Sequence, residues 1–188
     1  MNFIPTNLNA LYSRLLSDSE ITRDNFAIVS EVRSKPSEIL LSPSIKGRLY
    51  LSGRQILNTY QSYNIDHIVS IVPLRGPTQG IRHDILSIDD RSDFDTIRLF
   101  ESRIPSLCES IHSSLEEEKN VCVHCQVGVS RSVTLVLAYL MKYERLNLKE
   151  AVERVKSARP FICPNRGFLE ILGKLEREQF HHVSLSSN

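Results

Sequence analysis

The sequence predicts an α/β fold in which a central, mainly parallel sheet is flanked by helices. Short apolar runs rich in β-branched residues alternate with longer runs of helical period, the pattern of strands joined by helical crossovers. One strand-to-helix junction, VCVHCQVGVSRS at 121–132, is short and carries a glycine where the chain must turn sharply. The 188 residues are 41% hydrophobic and 24% charged. That is ordinary for a folded protein and enough for one compact domain with an extension.

Taken in order, Ile39–Leu41 and Arg48–Leu51 read as strands, Arg54–Tyr63 as a helix and His67–Pro73 as a further strand. PLRGPTQG, Pro73–Gly80, is a turn-rich loop. Ile85–Ile88 reads as a strand running into Asp89, Asp90 and a polar loop. Asp95–Glu118 is a long helix, capped by Asp93 or Asp95 and interrupted or restarted at Pro105. Asn120–Cys125 is a buried strand with β-branched Val121 and Val123. Ser132–Tyr143, Leu148–Ala158 and Gly167–Glu178 complete the helices. Near the start, LNALYSRLLSD reads as a short amphipathic helix. Its apolar side can pack on the core or on a second copy of the chain, which makes a homodimer through this extension one expectation.

The loop from Cys125 to Arg131 carries the chemistry. A tight turn into a helix points successive backbone N–H groups into one concavity at the helix's positive end, and such a nest binds a phosphate dianion. Gln126, Val127, Gly128, Val129 and Ser130 supply those amides, and Arg131 adds a planar clamp for two oxygens. The same field favours Cys125 as thiolate. A nucleophile and an oxyanion cradle in one loop imply attack on phosphorus. A merely buried cysteine would leave Gly128, Ser130, Arg131 and Ser132 at this spacing unexplained.

HCQVGVSRS followed by an apolar helix resembles the dual-specificity branch of the protein tyrosine phosphatase superfamily, whose loop is His-Cys-x-x-Gly-x-x-Arg-Ser. His124, Cys125, Gly128, Arg131 and Ser132 fill every fixed place. Ala138-Tyr139-Leu140-Met141 is similar to the family's next helix, RPFICPNRGFLEIL (159–172) to its C-terminal signature and SPSIKGRLYLSG (42–53) to its opening strand. The resemblance implies a protein tyrosine phosphatase-like dual-specificity phosphatase fold. It implies a catalytic domain over 36–180, preceded by a partly helical extension at 1–35 and followed by a flexible tail at 181–188. It further implies Cys125 as nucleophile, Arg131 as phosphate clamp, Ser132 as the hydrogen-bond donor to the sulfur and His124 as support behind the loop. The family needs a general acid on the preceding loop, about ten residues before an aromatic; Asp90, ten before Phe100, fits, with Asp89 as runner-up. Asp93 and Asp95 are better read as helix caps or dipole partners. With no tryptophan, the chain lacks the Trp-Pro-Asp acid loop of the larger tyrosine-specific enzymes.

A formal net charge of +1 without basic or acidic blocks gives no reason to expect nucleic acid or lipid headgroups as partners. No stretch is apolar enough to span a bilayer, and neither a signal peptide nor a lipidation pattern is evident, so no membrane partner is expected. Cysteines stand at 108, 122, 125 and 163. A working thiolate calls for a reducing intracellular setting, cytoplasm or nucleus. Cys122-x-x-Cys125 has no second ligand pair for zinc, and no metal or cofactor is expected. Cys122 reads as core, with a lesser role as resolving partner for an oxidised Cys125 left open.

By the same resemblance the substrates are phosphoproteins, on Tyr and Ser/Thr alike. Same-chemistry alternatives are phosphoinositides and RNA 5′-phosphates, but the loop lacks the lysines of the first and the Asn-Arg-Thr ending of the second. A phosphate-binding adaptor with little turnover is the alternative of another class; the joint presence of Cys125, Arg131 and Asp90 weighs against it. Arg75, Arg159 and Arg166 are read as solvated, or else as contacts for further phosphates or acidic side chains. RSKPSEILL (33–41) loosely has a kinase-docking pattern but more simply leads into the first strand. His67, His83 and His112 read as structural or surface residues.

Overall fold

The structure, a computed structural model, describes residues 6–18, 30, 34–73 and 80–185, the last five without their side chains. Five strands form one sheet, β1 Ser37–Ile39, β2 Leu49–Ser52, β3 His67–Ser70, β4 Arg82–Ile85 and β5 Val121–His124, in the order β1-β2-β5-β3-β4. Only the β1–β2 pair is antiparallel. β5 lies in the middle, all four of its residues buried, as its Val121 and Val123 require.

Among the described residues five α-helices accompany the sheet: α1 Leu8–Asp18, α2 Phe94–Glu116, α3 Arg131–Tyr143, α4 Leu148–Ala158 and α5 Arg166–Leu185. The main core joins them to the side of the sheet that carries Leu49, Leu51, Val69, Val121 and Val123. α3 is buried along nearly its whole length, from Arg131 to Met141, which is why its sequence is apolar on every side. The opposite side of the sheet bears a smaller cluster of Tyr50, Ile56, Ile65, Ile68 and Cys122.

Several elements differ from the sequence reading. Arg54–Tyr63 is not an α-helix but two short 3₁₀ turns, Arg54–Asn58 and Tyr60–Tyr63, broken at Thr59 (φ −133°, ψ 3°). They pack on the smaller cluster through Ile56. The fourth strand is Arg82–Ile85, three residues earlier than expected, because its partner β3 ends at Ser70. Leu86 and Ile88 are buried in the core, so their apolar signal marks a buried loop whose last tie to β3 is Leu86 N to Ser70 O at 2.8 Å. The first strand likewise begins at Ser37, and Leu40 is exposed.

α2 runs unbroken through Pro105. Pro105 is exposed, and its missing N–H takes one bond out of the helical ladder without ending the helix. Asp93 is the cap, accepting from Thr96 N at 3.1 Å. α4 has a capping box: Asn147 accepts from Glu150 N at 2.9 Å and Glu150 from Asn147 N at 2.9 Å. α5 reaches Leu185, past the expected start of a flexible tail at His181.

α1 packs on this chain's own core. Leu11 and Leu15 are buried there, and the nearest side chain to Gly173 on α5 is Leu8, so close that a Cβ would lie 2.6 Å from Leu8 Cδ1. Glu176, 1% exposed, accepts from Thr6 N (2.9 Å), Thr6 Oγ1 (2.8 Å) and the first amide of α4, Leu148 N (2.8 Å). Leu11 and Leu15 are thus occupied within one chain, while Leu16 of the same helix stays exposed.

Candidate active site

β5 delivers Cys125 to the end of the central strand, and α3 begins six residues later. Six successive carbonyls in between each accept from a group outside the turn. Cys125 O takes His124 Nδ1 (3.2 Å), Gln126 O takes Arg54 N (3.1 Å), and Val127 O and Gly128 O take Arg159 Nη2 (3.1 Å) and Nε (2.7 Å). Val129 O takes Cys163 N (2.9 Å), and Ser130 O takes Thr134 N and Oγ1 (both 2.9 Å). With the carbonyls held this way, the amides are left for the concave side. Gly128 sits at φ 74°, and a Cβ there would lie 2.5 Å from Ser52 O and 2.8 Å from Arg159 Nη2. No other residue type fits that turn.

Cys125 is 2% exposed. Its sulfur accepts from Ser132 Oγ at 3.2 Å and from Gly128 N at 3.3 Å. Burial opposes ionisation, but the Ser132 hydroxyl, the Ser132 and Gly128 amides and the Arg131 charge outweigh it and hold the thiol below its ordinary value. Arg131, at the first position of α3, is buried. Its Nη1 donates to Ile88 O at 2.9 Å, while its buried Nε has no hydrogen-bond partner and lies 3.7 Å from Asp90 Oδ2. An anion in the cradle would give that N–H an acceptor.

Asp90 is brought to the same place. Asp89 and Asp90 are both exposed, but Asp90 Oδ1 accepts from Ser130 Oγ at 2.7 Å and from Asn165 Nδ2 at 2.8 Å. Gln126 and Val127 are exposed at the rim; Val129 is half-buried and Ser130 buried. His124 lies behind the loop, fully buried and bonded to Ser70 Oγ at 2.6 Å; burial pushes its imidazole down to about 4, so it is neutral.

Two residues of this site escaped the sequence reading. The sequence suggests a solvated side chain or an extra phosphate contact for Arg159; it is neither, being fully buried with its guanidinium spent on the back of the loop and on Ser37 Oγ (3.2 Å). Asn165 caps α5 through Phe168 N (3.0 Å), and its backbone N donates to Ser130 Oγ (3.1 Å) while its side chain holds Asp90. Both stand in RPFICPNRGF, whose resemblance to the family's C-terminal signature marks the segment, while no charge pattern or period there reveals the two roles. Arg166 is exposed and pairs with Glu170 at 3.5 Å. Arg75 and Arg33 lie outside the described residues. Ser37–Ile39 of the docking-like stretch forms β1. Cys122 belongs to the cluster on the far side of the sheet from the one holding Cys125, and burial pushes its thiol up. It is therefore core and not a resolving thiol.

Residues 49–178 match the family described as dual specificity phosphatase, catalytic domain. The chain belongs to the dual specificity phosphatase family. Relatives include bovine (Bos taurus) dual specificity protein phosphatase 26, 40% identical over 140 residues covering 69% of this chain and 64% of that one. Arabidopsis thaliana dual specificity protein phosphatase 1 is 34% identical over 122 residues, 64% of this chain and 60% of that one. The chain spans less than two thirds of the length of these two curated relatives. Among solved structures, the human tyrosine phosphatase-like serine/threonine/tyrosine-interacting protein is similar with a TM-score of 0.62 and 27% identity, over 81% of this chain and 99% of that one. The five-stranded sheet with its helices is the α/β fold of this family. The chain thus carries a protein phosphatase domain of the cysteine-based, dual-specificity class. Among the described residues no helix is long and apolar enough to cross a membrane.

Proposed function

We propose that this dual specificity phosphatase domain hydrolyses phosphotyrosine and phosphoserine or phosphothreonine in proteins through a phosphocysteine intermediate, in the reducing interior of a cell. The observation that supports it most is the convergence on one sulfur: Ser132 Oγ and Gly128 N both donate to Cys125 Sγ, with Arg131 and Asp90 alongside. The substrate phosphate occupies the amide cradle and meets Arg131 Nε. The Cys125 thiolate attacks phosphorus, the bond to the leaving oxygen breaks, and Asp90 gives that oxygen its proton. Water then attacks the phosphocysteine, Asp90 takes a proton from it, and the Ser132 hydroxyl steadies the sulfur as it leaves. No metal or cofactor enters either step.

The test offers the purified protein phosphotyrosine and phosphothreonine peptides, an inositol phospholipid and 5′-triphosphorylated RNA, compares initial rates, and traps the intermediate by acid quench. Fastest turnover of the peptides with phosphate on Cys125 supports the reading. Fastest turnover of lipid or RNA reassigns the substrate. Tight peptide binding without turnover makes the domain an adaptor.

A further inference from the structure

Behind the loop runs a chain of hydrogen bonds with no vacancy and one allowed direction. His83 Nε2 lies 2.7 Å from Ser70 Oγ, Ser70 Oγ lies 2.6 Å from His124 Nε2, and His124 Nδ1 lies 3.2 Å from Cys125 O. The sheet registers them: Ser70 on β3 is opposite His124 on β5, and His83 on β4 is opposite Ile68, two residues before Ser70 on the same side of β3. A carbonyl only accepts, so His124 Nδ1 carries the hydrogen. A neutral imidazole has one hydrogen, so His124 Nε2 accepts and Ser70 must donate to it. The Ser70 hydrogen is then used, and the short contact from His83 must be an Nε2–H donated to Ser70 Oγ.

We infer that His83 is a positioning residue for the nucleophile: through Ser70 it holds His124 in the one tautomer that ties down the Cys125 carbonyl. This rests on Cys125 being the nucleophile. The Cys125 carbonyl is the first of the six whose outside partners shape the cradle. Its release loosens the peptide on which the sulfur sits and lengthens the Ser132 and Gly128 contacts that stabilise the thiolate. His83 is only half-buried, on the edge strand β4, so the chain carries the loop's geometry from the sulfur to the edge of the sheet. An apolar residue at 83 deprives Ser70 of its donor, and the Ser70 hydroxyl can then turn away from His124.

Two measurements test it, neither of which needs turnover. Nitrogen-15 NMR of the imidazoles in the unmodified protein should show His124 as the Nδ1–H form and His83 bearing hydrogen on Nε2. A His124 in the Nε2–H form overturns the proposal. The second follows alkylation of Cys125 by iodoacetamide against pH, read on the Cys125 peptide by mass spectrometry. His83→Leu should move the profile to higher pH and slow alkylation at neutral pH about five- to tenfold, the scale of one buried hydrogen bond. His83→Gln, whose amide N–H stands where Nε2–H stood, should restore the original profile. A Leu variant with the unmodified profile, or a Gln variant shifted as far as Leu, overturns it. Should the Leu variant not fold, the NMR tautomers decide.

Discussion

Ser130 Oγ and Asp90 Oδ1 stand 2.7 Å apart, and this bond joins the Cys125 loop to the loop that follows β4. The same Ser130 hydroxyl accepts from Asn165 N, and Asn165 Nδ2 reaches the same Asp90 oxygen at 2.8 Å. Three segments far apart in sequence thus share a closed ring of hydrogen bonds. The place of Asp90 is set by the Cys125 loop and by the start of α5, so it does not depend on the conformation of its own loop alone.

The sulfur is the group that cannot be replaced by its nearest analogue. Cys125→Ser should reduce hydrolysis at least about a thousandfold while phosphopeptide binding survives. A serine hydroxyl stays protonated in the field that ionises the thiol, yet the loop amides and Arg131 remain to hold the anion. Initial rates and a binding titration on the same preparation check both halves.

Arg131→Lys keeps the charge and should still lose about a hundredfold in turnover. Its guanidinium reaches Ile88 O with one nitrogen while Nε faces the site, and an ammonium cannot make both contacts at once. Turnover within about twofold of the parent would show that the fork is not needed.

What was legible in the sequence, and what was not, divides by range. The Cys125 loop was readable because strand, turn, nucleophile, clamp and helix are contiguous, and local geometry follows from local sequence. The helix from Leu148 to Ala158 was legible for the same reason, its cap and period lying side by side. Arg159 was not. Its charge argues for solvent, and only the arrival of two unpaired loop carbonyls 31 and 32 positions away turns it inward. The 3₁₀ turns at 54–63 and the early start of β4 failed likewise, because β-strand ends and helix type there are set by partners across the sheet.

Removing that buried guanidinium supplies a stability test. Arg159→Leu leaves the Val127 and Gly128 carbonyls without their donor. Two unpaired buried acceptors should cost about 2–5 kcal/mol, read as a lower urea midpoint with unchanged slope. Activity should fall further than stability alone explains, since the amides opposite those carbonyls lose their fixed direction.

Asp84 gives a pH-dependent prediction. The His67 hydrogen bond, working against burial and aided by Ser110, the His67 charge and Arg82, holds its carboxyl at about 2, below the ordinary 3.8. A carboxyl lowered by folding adds stability that is present above its ordinary value and is lost as pH falls through the folded one. The window therefore lies between about pH 4 and 2, and with the side chain 30% exposed the contribution is about 1 kcal/mol after screening. Asp84→Asn should flatten the acid limb of stability in that window. Urea unfolding at a series of pH values measures it.

The acid assignment is the most exacting test, because its runner-up is the next residue. Both carboxylates are exposed, but it is Asp90 that is tied to Ser130, Asn165 and the neighbourhood of Arg131. Asp90→Asn should therefore slow turnover about a hundredfold or more on an alkyl phosphoserine, where the leaving oxygen most needs a proton. An aryl phosphate with an acidic phenol departs with little help, so its loss should be several times smaller. The rate should rise with pH as the Cys125 thiol and the substrate phosphate ionise. It should fall again at alkaline pH, and in Asp90→Asn that alkaline limb should flatten. Asn165→Ala offers an intermediate case: Asp90 keeps its proton chemistry but loses one of the donors that aim it, so the limb should persist while kcat drops and KM changes little. Asp89→Asn should leave both the rate and the limb nearly intact. A flat limb in Asp89→Asn with an intact one in Asp90→Asn would move the acid by one residue and would require the hydrogen-bonded ring around Asp90 to be purely structural.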